Sequence, residues 1–170
     1  PVAVNLSAKD FTLALPAQLQ ALLSQYKLDA AWLELEITET MLMHSVESVC
    51  DIMDKISALG IGLSLDDFGT GYSSLTYLKR FPISTLKIDR SFIHGVPKDA
   101  NDCAIAGAII GMAKQLRLKV IAEGVEMPEQ YHYLRATGCD EIQGYYFSKP
   151  VSAVQLDGMV KANFRFPLPN

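Results

Sequence analysis

Asp66 and Asp67 stand side by side at the end of the apolar run 61–65, where two adjacent carboxylates could bridge or straddle cations. Further reactive groups recur at comparable places along the chain. Asn5 ends or follows a first apolar run, and Glu36 and Glu39 end or follow a second. Lys87 and Asp89 close a fourth, Glu123 and Glu126 a fifth, and Gln143 lies in a sixth. Taken singly, each acid could be a helix N-cap or a solvated loop residue. Taken together they resist that account, because Glu36, Asp66, Lys87 and Glu123 sit inside or against apolar segments. Buried charges of this kind cost several kcal/mol unless they are paired. Crowded carboxylates also repel one another until protons or a divalent metal neutralise them. An oxygen-only set of Asn, Asp and Glu suits Mg²⁺ or Mn²⁺ rather than zinc. Two such ions, roughly 3.5–4 Å apart, can clamp the attacking and leaving oxygens of a phosphodiester.

The segment after Asp67 reads Phe68, Gly69, Thr70, Gly71, Tyr72, Ser73, Ser74. Its two glycines permit positive-φ turns that fold a loop back over a site. Alternatively it is a plain strand-to-helix connection capped by Ser73. In either case Glu39 is placed to tether it by accepting hydrogen bonds from its backbone or hydroxyls.

The elements that must position these groups follow a strand–helix alternation. Six short apolar runs, at residues 2–6, 32–37, 61–65, 85–88, 119–122 and 141–147, are each followed by a helical pattern. Several are nearly continuous in apolar content, as expected of parallel strands covered on both faces. Pro16 can open one helix, Ser45 can cap a second that Gly60 stops, and Asp99 or Asn101 can cap a third. Pro128 begins a helix that Gly138 ends, and Ser152 caps the last. The expected class is therefore α/β with a parallel sheet. An open doubly wound sheet usually carries a Gly-rich turn after its first strand, and Asn5-Leu6-Ser7 has no glycine. In a (β/α) barrel all strand ends converge on one mouth, so each unit would deliver a polar group to one point.

Composition narrows the setting. The chain of 170 residues is 49% hydrophobic and 20% charged, ordinary for one soluble domain with a core of its own. A net charge of −4 offers no broad basic face, which argues against DNA or RNA as a partner. Cys50, Cys103 and Cys139 are odd in number with no CxxC spacing, and read as buried thiols in a reducing cytosol. His44, His94 and His132 lack zinc-type spacing, and the apolar run 103–113 is too short to span a bilayer, which takes about 20 residues.

In order, the segments Val4-Asn5-Leu6-Ser7, Leu35-Glu36-Ile37-Thr38-Glu39, the run from Asp66 through Leu75, Leu86-Lys87-Ile88-Asp89, Ile121 through Glu126, and Gln143 through Pro150 resemble the EAL domain, the cyclic-di-GMP-specific phosphodiesterase family. The resemblance implies a (β/α)8 TIM-type barrel, incomplete here with six βα units, and hydrolysis of cyclic di-GMP to linear pGpG with Mg²⁺ or Mn²⁺. It implies that Asn5, Glu36, Asp66 and Asp67 are metal ligands, and that Glu123 is the general base or a further metal ligand that helps deprotonate the water. Lys87 would orient the water or stabilise charge on the phosphate, supported by Asp89, while Gln143 lines the metal-water site. Glu39 would anchor the loop from Phe68 to Ser74, which with adjacent helices implies a homodimer contact. The family's Glu-Ala-Leu strand and its metal-binding Glu are not found in the chain. Residues 1–170 are thus expected to form the C-terminal two-thirds of a domain whose barrel needs eight units, typically about 250 residues. On its own the chain is expected to be inactive or nearly so, with two exposed sheet edges. The parent is expected in the cytoplasm, free or membrane-anchored, with room for an upstream sensor or cyclase domain.

Two other readings compete. The first is a non-catalytic module that binds cyclic di-GMP and signals through partners. The second makes Lys87 a Schiff-base lysine in a barrel aldolase; that role wants a lowered pKa, whereas surrounding carboxylates raise it.

Overall fold

A computed structural model describes residues 1–43, 46–71 and 78–166. Among these, six strands form one parallel sheet: β1 (Val2–Asn5), β2 (Leu33–Thr38), β3 (Gly62–Phe68), β4 (Thr85–Ile88), β5 (Lys119–Ala122) and β6 (Glu141–Ile142). Their spatial order is the chain order, without the reversal that defines a doubly wound sheet. The sheet curls as an open part of a barrel. Among the described residues five helices accompany it: α1 (Leu15–Tyr26), α2 (Val46–Ala58), α3 (Ala100–Gln115), α4 (Pro128–Thr137) and α5 (Ala153–Lys161).

Local chemistry accounts for their ends. Pro16 stands in the first turn of α1. The Asp99 carboxylate accepts from the amides of Asn101 and Asp102 at the start of α3, so Asp99 rather than Asn101 is the cap. Gly138, at φ 90°, terminates α4 in the left-handed conformation. Ser152 and Gln155 form a capping box on α5. The expected cap Ser45 and the loop residues Tyr72, Ser73 and Ser74 lie outside the described residues.

The strands differ from the expected doubly apolar type. Along β2 the residues alternate Leu33, Glu34, Leu35, Glu36, Ile37, Thr38. Leu35, Ile37, Leu63, Leu65, Leu86, Ile88, Val120 and Ala122 are all buried, and they form the apolar face of the sheet. The opposite face, at the alternate positions, bears Asn5, Glu36, Ser64, Asp66, Thr85 and Lys87. The core therefore packs on one face of the sheet, and the other is polar. β6 spans only two residues, not seven, because the chain turns at Gly144. A Cβ there would lie 2.1 Å from the Val125 carbonyl oxygen. The three cysteines are free and only partly buried, a correction to the expectation of buried thiols. Among the described residues no helix is long and apolar enough to cross a membrane.

Candidate active site at the strand ends

Lys87 is the centre of the polar face. Its side chain is 3% exposed, and Nζ lies 2.8 Å from Glu36 Oε1, 3.1 Å from Asp66 Oδ1 and 2.7 Å from Glu123 Oε1. The β2, β3, β4 and β5 units thus converge on one ammonium. Burial alone would lower the Lys87 pKa. Hydrogen bonds to Glu123 and Glu36, with the charges of Glu123 and Asp66, overcome that and push it well above the ordinary lysine value. A Schiff-base nucleophile needs the opposite shift, so this environment argues against the aldolase reading.

Asp66 and Asp67 reach the same mouth by a departure from strand geometry. Successive strand residues normally point to opposite faces. Here the pairing of β3 with β4 shifts register between Leu65 and Phe68, and Asp67 adopts φ 55°. The bulge turns Asp67 back toward its neighbour. One oxygen each from Asp66, Asp67 and Glu123 then lie within 4.8 Å of one another. Asp66 Oδ1 also accepts from the Asp67 amide at 3.0 Å.

This donor set fits a hard divalent cation. Three carboxylates of the kind Mg²⁺ and Mn²⁺ prefer, Asp66, Asp67 and Glu123, stand together, and Glu36 joins Asp66 and Glu123 around a single lysine. Two of the acids are shifted upward from the ordinary carboxylate value. Burial, then the charges of Asp66 and Glu36, push Glu123 above the usual carboxylate range despite Lys87. Burial and the charges of Asp66 and Asp89 do the same for Asp67. Asn5 lies level with Glu36 on the neighbouring strand, exposed at the sheet edge.

Glu39, 1% exposed, accepts from the amides of Gly69 and Gly71 at 3.1 and 3.3 Å through Oε2. A Cβ on Gly71 would sit 2.7 Å from Glu39 Oε1, so the carboxylate occupies the space a side chain would need. Thr70 Oγ1 donates to the Asp67 carbonyl, closing the turn on itself. Phe68 is buried in the core.

Asp89 departs from expectation. Its carboxylate accepts from the Ser91 amide at 2.9 Å, capping the helical turn Arg90–Phe92, and is not among the ion partners of Lys87. Although burial works the other way, the Ser91 hydrogen bonds hold its pKa below the usual range. Gln143 lies just beyond β6 and lines a cavity of about 350 Å³ with Asp67, Asp89, Glu123, Glu126 and Tyr145. Arg90 and Tyr145, on the same wall, were not anticipated as site residues. The available signal was position: each lies within three residues of a strand-end group already singled out, Lys87 or Gln143.

Comparison with known proteins adds lineage to this geometry. A model of the EAL domain matches residues 1–150. Cyclic di-GMP phosphodiesterase NbdA of Pseudomonas aeruginosa is 46% identical over 166 residues, which is 97% of this chain and 21% of NbdA. The chain spans about a fifth of the length of the curated relatives it matches. A structure described as the PaMucR phosphodiesterase in complex with c-di-GMP superposes with a TM-score of 0.86 at 44% identity, over 91% of this chain and 63% of that one. Klebsiella pneumoniae BlrP1, in a manganese and cyclic-di-GMP complex, superposes with a TM-score of 0.80 at 28% identity, over 87% of this chain and 38% of that one.

Proposed function

Because this chain belongs to the EAL domain family, we propose that it supplies most of the catalytic wall of a metal-dependent cyclic-di-GMP phosphodiesterase, as the C-terminal two-thirds of the domain. The observation that carries the proposal is the single Lys87 ammonium held by Glu36, Asp66 and Glu123 beside Asp67. In the intact domain Asn5, Glu36, Asp66, Asp67 and Glu123 would hold Mg²⁺ or Mn²⁺, as a pair of ions. When bound, the metal supplies an acidified water and charge stabilisation on the phosphate.

The chain's own residues divide the remaining work. Glu123, with its pKa pushed up, is suited to take a proton from the attacking water. The water oxygen bonds to phosphorus, one P–O ester bond breaks, and the leaving sugar oxygen takes up a proton, giving linear pGpG. Lys87 stays charged throughout and steadies the anionic oxygens that form. Glu39 holds the turn from Gly69 to Gly71, and we propose that this loop with adjacent helices is a homodimer contact. The location proposed is the cytoplasm, which the three free cysteines support, on a parent with sensor or cyclase domains upstream.

The direct test measures cyclic-di-GMP turnover in Mn²⁺ by the full-length protein beside Glu123→Gln. The variant is expected to lose about 100-fold or more in kcat, the scale of a lost acid–base group. Equal rates would remove Glu123 from the mechanism. Tight binding of cyclic di-GMP without turnover in either protein would favour the receptor reading.

A further inference from the structure

Gln130, in the first turn of α4, is 4% exposed and lies outside the site, yet its amide is fully used. Oε1 accepts from the amides of Glu126 at 2.8 Å and Met127 at 3.0 Å. Nε2 donates to the carbonyls of Ile93 at 3.0 Å and His94 at 3.3 Å. One side chain thus joins two loops that have no sequence continuity. The first leaves β4 just after Lys87 and carries Asp89 and Arg90; the second leaves β5 and begins with Glu123. The loops also meet nearer the mouth. Gly124, at φ 67°, packs so tightly that a Cβ would fall 2.5 Å from Arg90 Cβ. Glu123 continues the sheet ladder by donating its amide to the Ile88 carbonyl.

From this geometry we infer that Gln130 is a positioning residue for the proposed reaction: it clamps the β4 and β5 loops together so that Glu123 meets Lys87 and the neighbouring acids. The chemistry requires an amide. Two backbone donors and two backbone acceptors face the position, and only Asn or Gln offers two of each, with Gln having this reach. A carboxylate would satisfy the amides and repel the carbonyls; an apolar side chain would leave all four groups unpaired. The inference rests on the phosphodiesterase reading for its activity readout, but not for its metal readout.

The test compares Gln130→Met with Tyr133→Phe in the full-length protein. Tyr133, also on α4, donates its hydroxyl to the Cys103 carbonyl, away from both loops, and so controls for a general loss of helix packing. For each protein, kcat and KM for cyclic di-GMP and the Mn²⁺ affinity by calorimetry are measured, with melting temperature alongside. Q130M is expected to lose about tenfold in kcat and about tenfold in Mn²⁺ affinity, the scale of a lost supporting hydrogen bond around a metal site, with KM within about twofold. Y133F is expected to melt lower while keeping wild-type kcat and Mn²⁺ affinity. Should Q130M fail to fold, Gln130→Glu is read in the same way. Parallel losses in both variants, or wild-type values in Q130M, would overturn the inference. Wild-type protein that binds Mn²⁺ but leaves cyclic di-GMP intact would sink the phosphodiesterase reading alone, and the Mn²⁺ isotherms would still decide the clamp. Wild-type protein that binds no Mn²⁺ would overturn both.

Discussion

At the scale of single residues, Lys87 holds the polar face together. Its ammonium neutralises part of a cluster that would otherwise place Glu36, Asp66 and Glu123 against one another. Removing one member of a buried ion group leaves its partners uncompensated, at a cost of roughly 3 kcal/mol. Lys87→Met is therefore expected to lower the metal-free unfolding free energy by about that amount in urea titrations. The same substitution leaves more room for a divalent cation to neutralise the acids. Mn²⁺ should accordingly raise the melting temperature of K87M by more than that of the wild type. An equal rise in both would show that lysine and metal do not share those carboxylates. The sequence revealed that acids and a lysine would meet at one mouth, because a charged residue buried within an apolar run must find a partner of opposite charge. It did not reveal that Asp89 turns aside to cap Arg90–Phe92, because a strand-end acid followed by Arg and Ser reads equally well as ligand or cap.

At the scale of elements, legibility followed the boundaries. β4 and β5 match their expected limits: Ser84 and Asp89 bracket the first run, and the second opens at Lys119 and stops before Glu123. β3 runs on to Phe68, through two aspartates that propensity would exclude from a strand, since the functional bulge overrides local preference. β6 stops early because Gly144 must approach the Val125 backbone, a tertiary demand that the aromatic run Tyr145-Tyr146-Phe147 conceals. Beside β6, burial pushes the Cys139 thiol up to about 11, outweighing backbone hydrogen bonds at Ala122 and Glu141 that pull it down. A thiol pKa raised from 9.0 in the unfolded chain to about 11 in the folded one means the folded state holds its proton longer. Its contribution to stability is complete below pH 9 and fades as pH rises toward 11. Alkylation by iodoacetamide at pH 9 should label Cys139 more slowly in folded than in urea-unfolded protein, resolved by peptide mass spectrometry.

At the scale of the whole molecule, the sheet is a curved segment whose apolar face is sealed and whose polar face is open. The helices bury one face, whereas β1 leaves Val2 66% and Val4 45% exposed along a strand with one neighbour. An uncovered strand edge of this kind invites pairing with another chain. The 170-residue chain is expected to self-associate with rising concentration in sedimentation velocity, and Val4→Lys should shift the distribution toward monomer. An unchanged distribution would clear the β1 edge of responsibility. Six alternating units and a first turn without glycine left the closure open; the polar groups at every strand end and the family resemblance pointed to a barrel segment rather than a doubly wound sheet. The division into one apolar and one polar face was not read, because short strands such as Thr85–Ile88 contain too few positions to show alternation.

The left-handed backbone of Asp67 bears on how such a site can decay. Among residues with a Cβ, Asn and Asp tolerate φ near 55° best, and glycine adopts it freely. Asp67→Asn should therefore fold with near-wild-type stability while weakening Mn²⁺ binding, whereas Asp67→Val should lose stability as well. Asp66, buried against Lys87, has no such freedom. On the proposed reading, a lineage could thus mute this centre by one base change at Asp67, keep its shape intact, and leave a silent binding surface where a reactive one had been.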